Sequence, residues 1–334
     1  MAKIKDTDYL SLSARVHAME VSLLSRERME RMLDARTDEE AVKVLTECGY
    51  AELSQVTPEG VDRLLAGRRE ALLRELEGAL PDPRFLEVFK IKYDYHNLKT
   101  LLKAEALGRE HDRLLVDAGR IPAAELKERL SGASQRGGLP GTLDKAVREA
   151  REVLHATGDP QRLDFALDRA YFAEMAALAR DTGSEYLKGY VVILVDAANL
   201  RCLVRALRMG KGADFLKGVL FQGGSVGERS ILTVAANGGS GLAELYASTS
   251  LRAAAEAGAA AVRGGGLTAF EKECDDAVTR YLAGAKYVPF GEAPVIGYLA
   301  AVDSELTNLR IILSGRMAGL DGDTIRERLR ETYV

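Results

Sequence analysis

Three asparagines constrain this chain more tightly than any other feature. The 334 residues contain four asparagines, and Asn97, Asn199 and Asn308 share one local pattern. Each has an acid three positions before it, Leu directly after it and a base two positions after it. The copies read Asp94-Tyr95-His96-Asn97-Leu98-Lys99, Asp196-Ala197-Ala198-Asn199-Leu200-Arg201 and Glu305-Leu306-Thr307-Asn308-Leu309-Arg310. Aliphatic pairs follow (Leu101 and Leu102, Leu203 and Val204, Ile312 and Leu313), and a glycine stands eleven residues after each asparagine, at Gly108, Gly210 and Gly319. The intervals between asparagines, 102 and 109 residues, are each close to a third of the chain. Solenoid and propeller repeats run only ~20–50 residues, so this period predicts three similar small domains. They fall at 1–115, 116–218 and 219–334, with seams after Gly108 and in the turn-rich run that starts at Gly210. Segments 124–130 and 324–329, AELKERL and TIRERL, add a second likeness between the first and third copies.

Each copy reads as a helix. At 100° per residue the acid, the Asn and the following Leu fall within an arc of about 100°, and the base points roughly the other way. The face of Asp196 and Asn199 also carries Val192, Val195, Leu200 and Leu203. The two polar groups are therefore expected at the edge of a buried seam. A buried amide must be satisfied by backbone or by a polar side chain of a neighbouring helix. The closing glycines suit helix C-termini, where a left-handed residue is needed. Further helices are expected after Ser25 as N-cap, over 38–45 up to Gly49, and over 164–179. Aromatic residues make up 6% with no Trp, and no alternating apolar pattern is sustained. The predicted class is all-α.

Several functions are excluded by what is missing. The longest uncharged stretch, 230–243, is shorter than the ~20 residues a spanning helix needs and is broken by glycines. The N-terminus leads into no apolar secretory core. Cys48, Cys202 and Cys274 lie far apart with no CxxC, which favours a reducing compartment over a disulfide or zinc framework. Net charge is −4 without a basic block, unlike a general nucleic-acid binder. The four histidines form no HxxxH pair, so no metal site is expected. Asp94 and His96 stand two apart on a helix and do not face each other; the other copies have Ala198 and Thr307 in the His96 position. The run Gly223-Gly224-Ser225-Val226-Gly227-Glu228-Arg229-Ser230 superficially resembles a phosphate loop, but it lacks the Lys and the glycine spacing and reads as a loop between helices. Gly238-Gly239-Ser240-Gly241-Leu242 fails as a nucleophile elbow at its last residue. No catalytic, cofactor-binding or metal-ligating residue is expected.

The acid-x-x-Asn-Leu-base helix is specific enough to carry a family resemblance. With Tyr9, the 14–24 opening, Asp168-Arg169-Ala170-Tyr171-Phe172 and the 297–310 stretch, it makes the chain similar, essentially end to end, to the C subunit of V-type and archaeal-type rotary ATPases, called d in eukaryotes. The third copy departs in having Glu305 where the others have Asp, with Asp303 beside it as a candidate for the same role. The resemblance implies a non-catalytic, cofactor-free funnel of three helical domains around a pseudo-threefold axis. Such a protein sits peripherally on the cytoplasmic face of the membrane proteolipid ring and receives the central shaft, built of the D and F subunits. It couples shaft rotation to ring rotation, and so to proton or sodium transport, with no nucleic acid or small-molecule substrate. The motif residues Asp94, Asn97, Lys99, Asp196, Asn199, Arg201, Glu305, Asn308 and Arg310 become structural or interface candidates. Without the resemblance, a helical scaffold for other cytoplasmic proteins stays open, as does a small-molecule enzyme built on the 222–241 region.

Overall fold

The computed structural model describes residues 4–53, 55–108, 112–135 and 137–334, and among them no strand occurs: the protein is all-α. The motif lies on three long helices, α5 (Arg84–Leu107), α9 (Glu185–Arg208) and α15 (Glu292–Met317). At 1.5 Å per residue each runs about 36–39 Å. Four helices precede the first of them: α1 (Leu10–Glu20), α2 (Arg26–Asp34), α3 (Asp38–Glu47) and α4 (Pro58–Glu77). Between the first and second stand α6 (Ala123–Ser131), α7 (Gly141–Thr157) and α8 (Pro160–Thr182). Between the second and third stand α10 (Ala213–Leu216), α11 (Glu228–Ala236), α12 (Leu242–Leu245), α13 (Arg252–Val262) and α14 (Leu267–Ala283), and α16 (Gly322–Arg326) follows the third.

Local chemistry sets the ends. Ser25, Thr37, Thr57 and Ser184 each accept a hydrogen bond from the amide three residues on, at 3.3, 3.2, 3.1 and 3.0 Å, satisfying an amide that the first helical turn leaves unpaired. Pro58 and Pro160 take first-turn positions, where a missing N–H costs nothing. The three motif glycines all have positive φ, 61° at Gly108, 67° at Gly210 and 71° at Gly319, as a helix stop of this kind requires.

Three apolar cores result. The C-terminal half of α5, with Leu98 and Leu102, packs on α6, α7 and α8 through Leu126, Val147 and Leu167. The corresponding half of α9, with Leu200 and Leu203, packs on α11, α13 and α14 through Ile231, Ala255 and Phe270. The third core is assembled from both ends of the chain: Leu309 and Ile312 of α15 meet Val16 of α1, Met32 of α2, Leu45 of α3 and Leu65 of α4. This core also takes in Phe85 and Phe89 from the first half of α5 and Leu187 and Val191 from the first half of α9. The N-terminal halves of α5 and α9 therefore share one apolar mass with the whole of α15, and their C-terminal halves pass into cores of their own.

Candidate functional site

Each motif asparagine is fully buried and does one job. Asn97 Nδ2 donates to the Val116 carbonyl at 2.8 Å while its Oδ1 accepts from the Val116 amide at 2.8 Å. Asn199 holds Phe221 in the same two-point clasp at 2.9 and 2.8 Å, and Asn308 holds Arg330 at 3.2 and 2.8 Å. A carboxamide is the side chain that copies a peptide's donor and acceptor side by side, so it pins an extended segment to a helix as a neighbouring strand would. The clasped residues lie 19, 22 and 22 positions downstream.

The acids of the first two copies extend the clasp. Asp94 Oδ1 accepts from the amides of Arg120 (2.9 Å) and Ile121 (3.3 Å), and its Oδ2 from Arg120 Nε at 2.6 Å. Asp196 accepts from the Ser225 amide (3.0 Å), the Val226 amide (3.1 Å) and the Ser225 hydroxyl (2.5 Å). In both loops a glycine comes just before the donors, and no other residue fits there. A Cβ on Gly119 would lie 2.2 Å from Asp94 Oδ1, and one on Gly224 would lie 2.2 Å from Asp196 Oδ1. The run that resembles a phosphate loop therefore does bind an anion through its amides, and that anion is the protein's own Asp196. Gly119 and Gly224 were not among the expected residues, although Val116-x-x-Gly119 and Phe221-x-x-Gly224 continue the repeat legibly. Burial raises the Asp94 carboxyl above its ordinary range, and Arg120 partly restrains the rise.

The third acid differs. Glu305 engages no downstream loop and turns instead to the N-terminal segment, where its longer side chain is buried and accepts from the Leu24 amide and the Tyr50 hydroxyl. Burial pushes its carboxyl up, against these hydrogen bonds and the more distant Arg68 and Arg28. Asp303 does not take the acid's role: it points to Lys92 of α5 and Arg69 of α4. Burial works against its ionised form, but Lys92 and Arg69 outweigh it and hold the carboxyl below the ordinary range. The physical reason is angular, since position −5 lies about 140° around the helix from the asparagine and position −3 only about 60°.

The motif bases point away from the clasps and pair within the molecule. Lys99 pairs with Asp168 of α8. Arg201 meets Glu271 and Asp275 of α14 at 2.8 and 2.5 Å, and Arg310 meets Asp62 of α4 at 2.8 Å. In each case the acid sits on the helix that leads into the next motif helix: α8 before α9, α14 before α15, α4 before α5. The order is cyclic, and its last link joins the two ends of the chain.

At the centre, the residues five before each asparagine are Lys92, Leu194 and Asp303. Lys92 and Asp303 pair directly, yet their side chains keep 37% and 26% of their surface accessible. Arg69 Nε stands 3.5 Å from Asp303, and the Lys92 ammonium and Arg69 guanidinium both lie over the Tyr93 ring, at 4.9 and 5.0 Å. Phe89 of α5 stacks on Tyr190 of α9 at 5.6 Å. Tyr190 and Leu194 of α9 and Tyr171 of α8 pack on the same apolar core as α5 and α15, so all three motif helices and α8 come together at this hub.

Nothing in this arrangement resembles an active centre. His96 binds the Leu114 carbonyl at 3.0 Å instead of Asp94. Among the described residues no group of His, Cys, Asp and Glu is placed to hold a metal, and no helix is long and apolar enough to cross a membrane. The cysteines are free, two buried and Cys202 half-buried. What the motif side chains build is a helical body whose asparagine clasps and base–acid pairs tie loops and neighbouring helices to the three motif helices.

The family profile for the ATP synthase (C/AC39) subunit matches residues 12–328. The C subunit of the V-type sodium ATPase of Enterococcus hirae is 23% identical over 98% of this chain and 99% of its own length. The C subunit of the A-type ATP synthase of Methanocaldococcus jannaschii is 26% identical over 96% and 86%, and that of Halobacterium salinarum 30% over 79% and 78%. The chain belongs to the ATP synthase C/AC39 subunit family. It is accordingly a non-catalytic component of a V/A-type ATPase or ATP synthase.

Proposed function

We propose that the chain is the adaptor of the central stalk, a socket that takes the lower end of the rotating shaft and seats it on the proteolipid ring at the cytoplasmic face of the membrane. The observation that carries this reading is the cyclic set of ties, Lys99 to Asp168, Arg201 to Glu271 and Asp275, and Arg310 to Asp62. Three units joined head to tail in a closed cycle leave an axis, and an axial opening is where a shaft end fits. In this reading the three units centre on α5, α9 and α15, the third combining 292–334 with the N-terminal helices, and the shared core of α15 with α1 to α4 supports it. Torque transmission needs a body that does not shear. The clasps supply that stiffness by fixing each unit's downstream loop to its motif helix. In this role the protein binds the shaft on one side and the ring on the other, and couples rotation to proton or sodium movement without touching nucleotide.

The test is a titration of the purified protein against its cognate shaft protein, with nucleotide hydrolysis by the isolated chain recorded in parallel. Saturable one-to-one binding without hydrolysis is expected. No binding to an intact, folded shaft overturns the socket, and recovery from native membranes free of other rotary components overturns the adaptor role altogether.

A further inference from the structure

The motif keeps its chemistry in all three copies at the acid, the amide, the leucine and the base. Five residues before each asparagine it departs from this rule completely, with a cation at Lys92, an apolar side chain at Leu194 and an anion at Asp303. These positions are equivalent along α5, α9 and α15, and at least two of them meet where the three helices converge. The pair is only partly covered, 37% of the Lys92 side chain and 26% of the Asp303 side chain remaining accessible, as expected for groups lining an indentation. Arg69 and the Tyr93 ring brace the pair from α4 and α5, so its direction across the hub is fixed.

A socket built from three similar units offers a partner three seatings, 120° apart, that differ little in shape. A dipole lying across its centre removes that degeneracy, because charge complementarity sets register and like-charge juxtaposition rejects the wrong one. We propose that Lys92, Leu194 and Asp303 act as a key that lets the shaft seat in one rotational orientation only. This inference rests on the socket reading. It assigns to the hub pair a role in recognition beyond joining α5 to α15, and it predicts a shaft end whose own polar groups are arranged asymmetrically, an acceptor facing Lys92 and a donor facing Asp303.

The experiment uses the full chain and its cognate shaft protein, with one spin label on the shaft head and one at Glu185→Cys. That side chain is 87% accessible at the start of α9. Distances between the labels report the seating. The unaltered hub is expected to give a single distance. Lys92→Leu with Asp303→Leu makes all three positions leucine and replaces an ion pair by apolar groups, an exchange proteins often tolerate. It is expected to give several distances, the original falling towards about a third of the complexes. Lys92→Asp with Asp303→Lys, carried together with Arg69→Gln so that no cation faces the new lysine, keeps a pair but reverses its direction, and is expected to move the single distance to a new value. An unchanged single distance in either folded variant overturns the key, as does a mixture of distances with the unaltered hub. Failure of the unaltered protein to bind the shaft at all overturns instead the socket reading on which the key rests.

Discussion

Replacing Asn199 by alanine removes both halves of the most fully buried clasp. Its bonds to Phe221, 2.9 Å to the carbonyl and 2.8 Å from the amide, are buried at both ends, and Phe221 itself is 7% accessible. Each buried peptide group left without a partner costs roughly 1–3 kcal/mol. Two such groups bring the expected loss to roughly 2–6 kcal/mol, the upper part of the range applying if the loop cannot move to reach water. The same substitution at Asn308 frees groups of Arg330, which is only half-buried, and one of its bonds is longer at 3.2 Å. Water can replace that clasp, so ~1 kcal/mol is expected there. Asn97, whose partner Val116 is half-buried, should fall between. Urea unfolding of the three alanine variants gives the order directly. Amide hydrogen exchange should show the 219–226 segment losing protection in Asn199→Ala while α11 and α13 keep theirs. Equal losses at all three sites, or unchanged exchange at Phe221, would refute the claim that the asparagines act by pinning a buried backbone.

Gly119→Ala is expected to cost ~2–4 kcal/mol by driving Asp94 off its amide donors, and to cost little in an Asp94→Ala background where the clash is gone; a full penalty in both backgrounds would mean the strain is elsewhere. Gly224→Ala against Asp196 should behave alike in thermal melts. Asp276 of α14, buried and holding the Glu331 amide at 2.7 Å, has its carboxyl pushed up to about 6 by burial. The folded protein then takes up a proton between the ordinary 3.8 and about 6 that the unfolded chain does not, so its stability falls as pH rises through that window. Asp276→Asn should be more stable by up to ~3 kcal/mol at pH 7.5, with the advantage fading towards pH 4; an advantage independent of pH would rule out the carboxyl as its source. A circular permutant that joins residue 334 to residue 1 by a short linker and opens between Thr182 and Ser184 should fold with near-native helicity, because it makes the two-ended core contiguous. A permutant that aggregates or loses the cooperative transition would argue against the cyclic order of the units.

Much of the motif's setting was legible because its signals are local. An asparagine on a helical face shared with apolar residues such as Val192, Val195, Leu200 and Leu203 is expected to be buried, and a glycine eleven positions later is expected to end the helix. The partners of the asparagines were not legible, because Val116, Phe221 and Arg330 are bound through backbone, and backbone leaves no mark on composition. The glycines at 119 and 224 did leave a mark, three residues after the clasped positions, but it is visible only once the clasp is known. Asp303 was assigned to the wrong side by proximity along the chain, where the 100° rotation per residue would have separated it from Glu305. The bases were legible as pointing outward, whereas their ring of partners, the last of them 248 residues back at Asp62, lies beyond any local pattern.

The two-ended core also has a consequence for how the protein is made. Helices α1 to α4 leave the ribosome first, with Val16, Met32, Leu45 and Leu65 turned towards a helix that has not been synthesised. Some 200 residues separate α4 from α15, so at about 5–20 residues per second the N-terminal segment waits roughly 10–40 s for its partner. The units on α5 and α9 are contiguous and can close meanwhile. Helices α1 to α4 are therefore made well before the helix that completes their core, and during that interval their apolar faces are open to mispairing with other nascent chains.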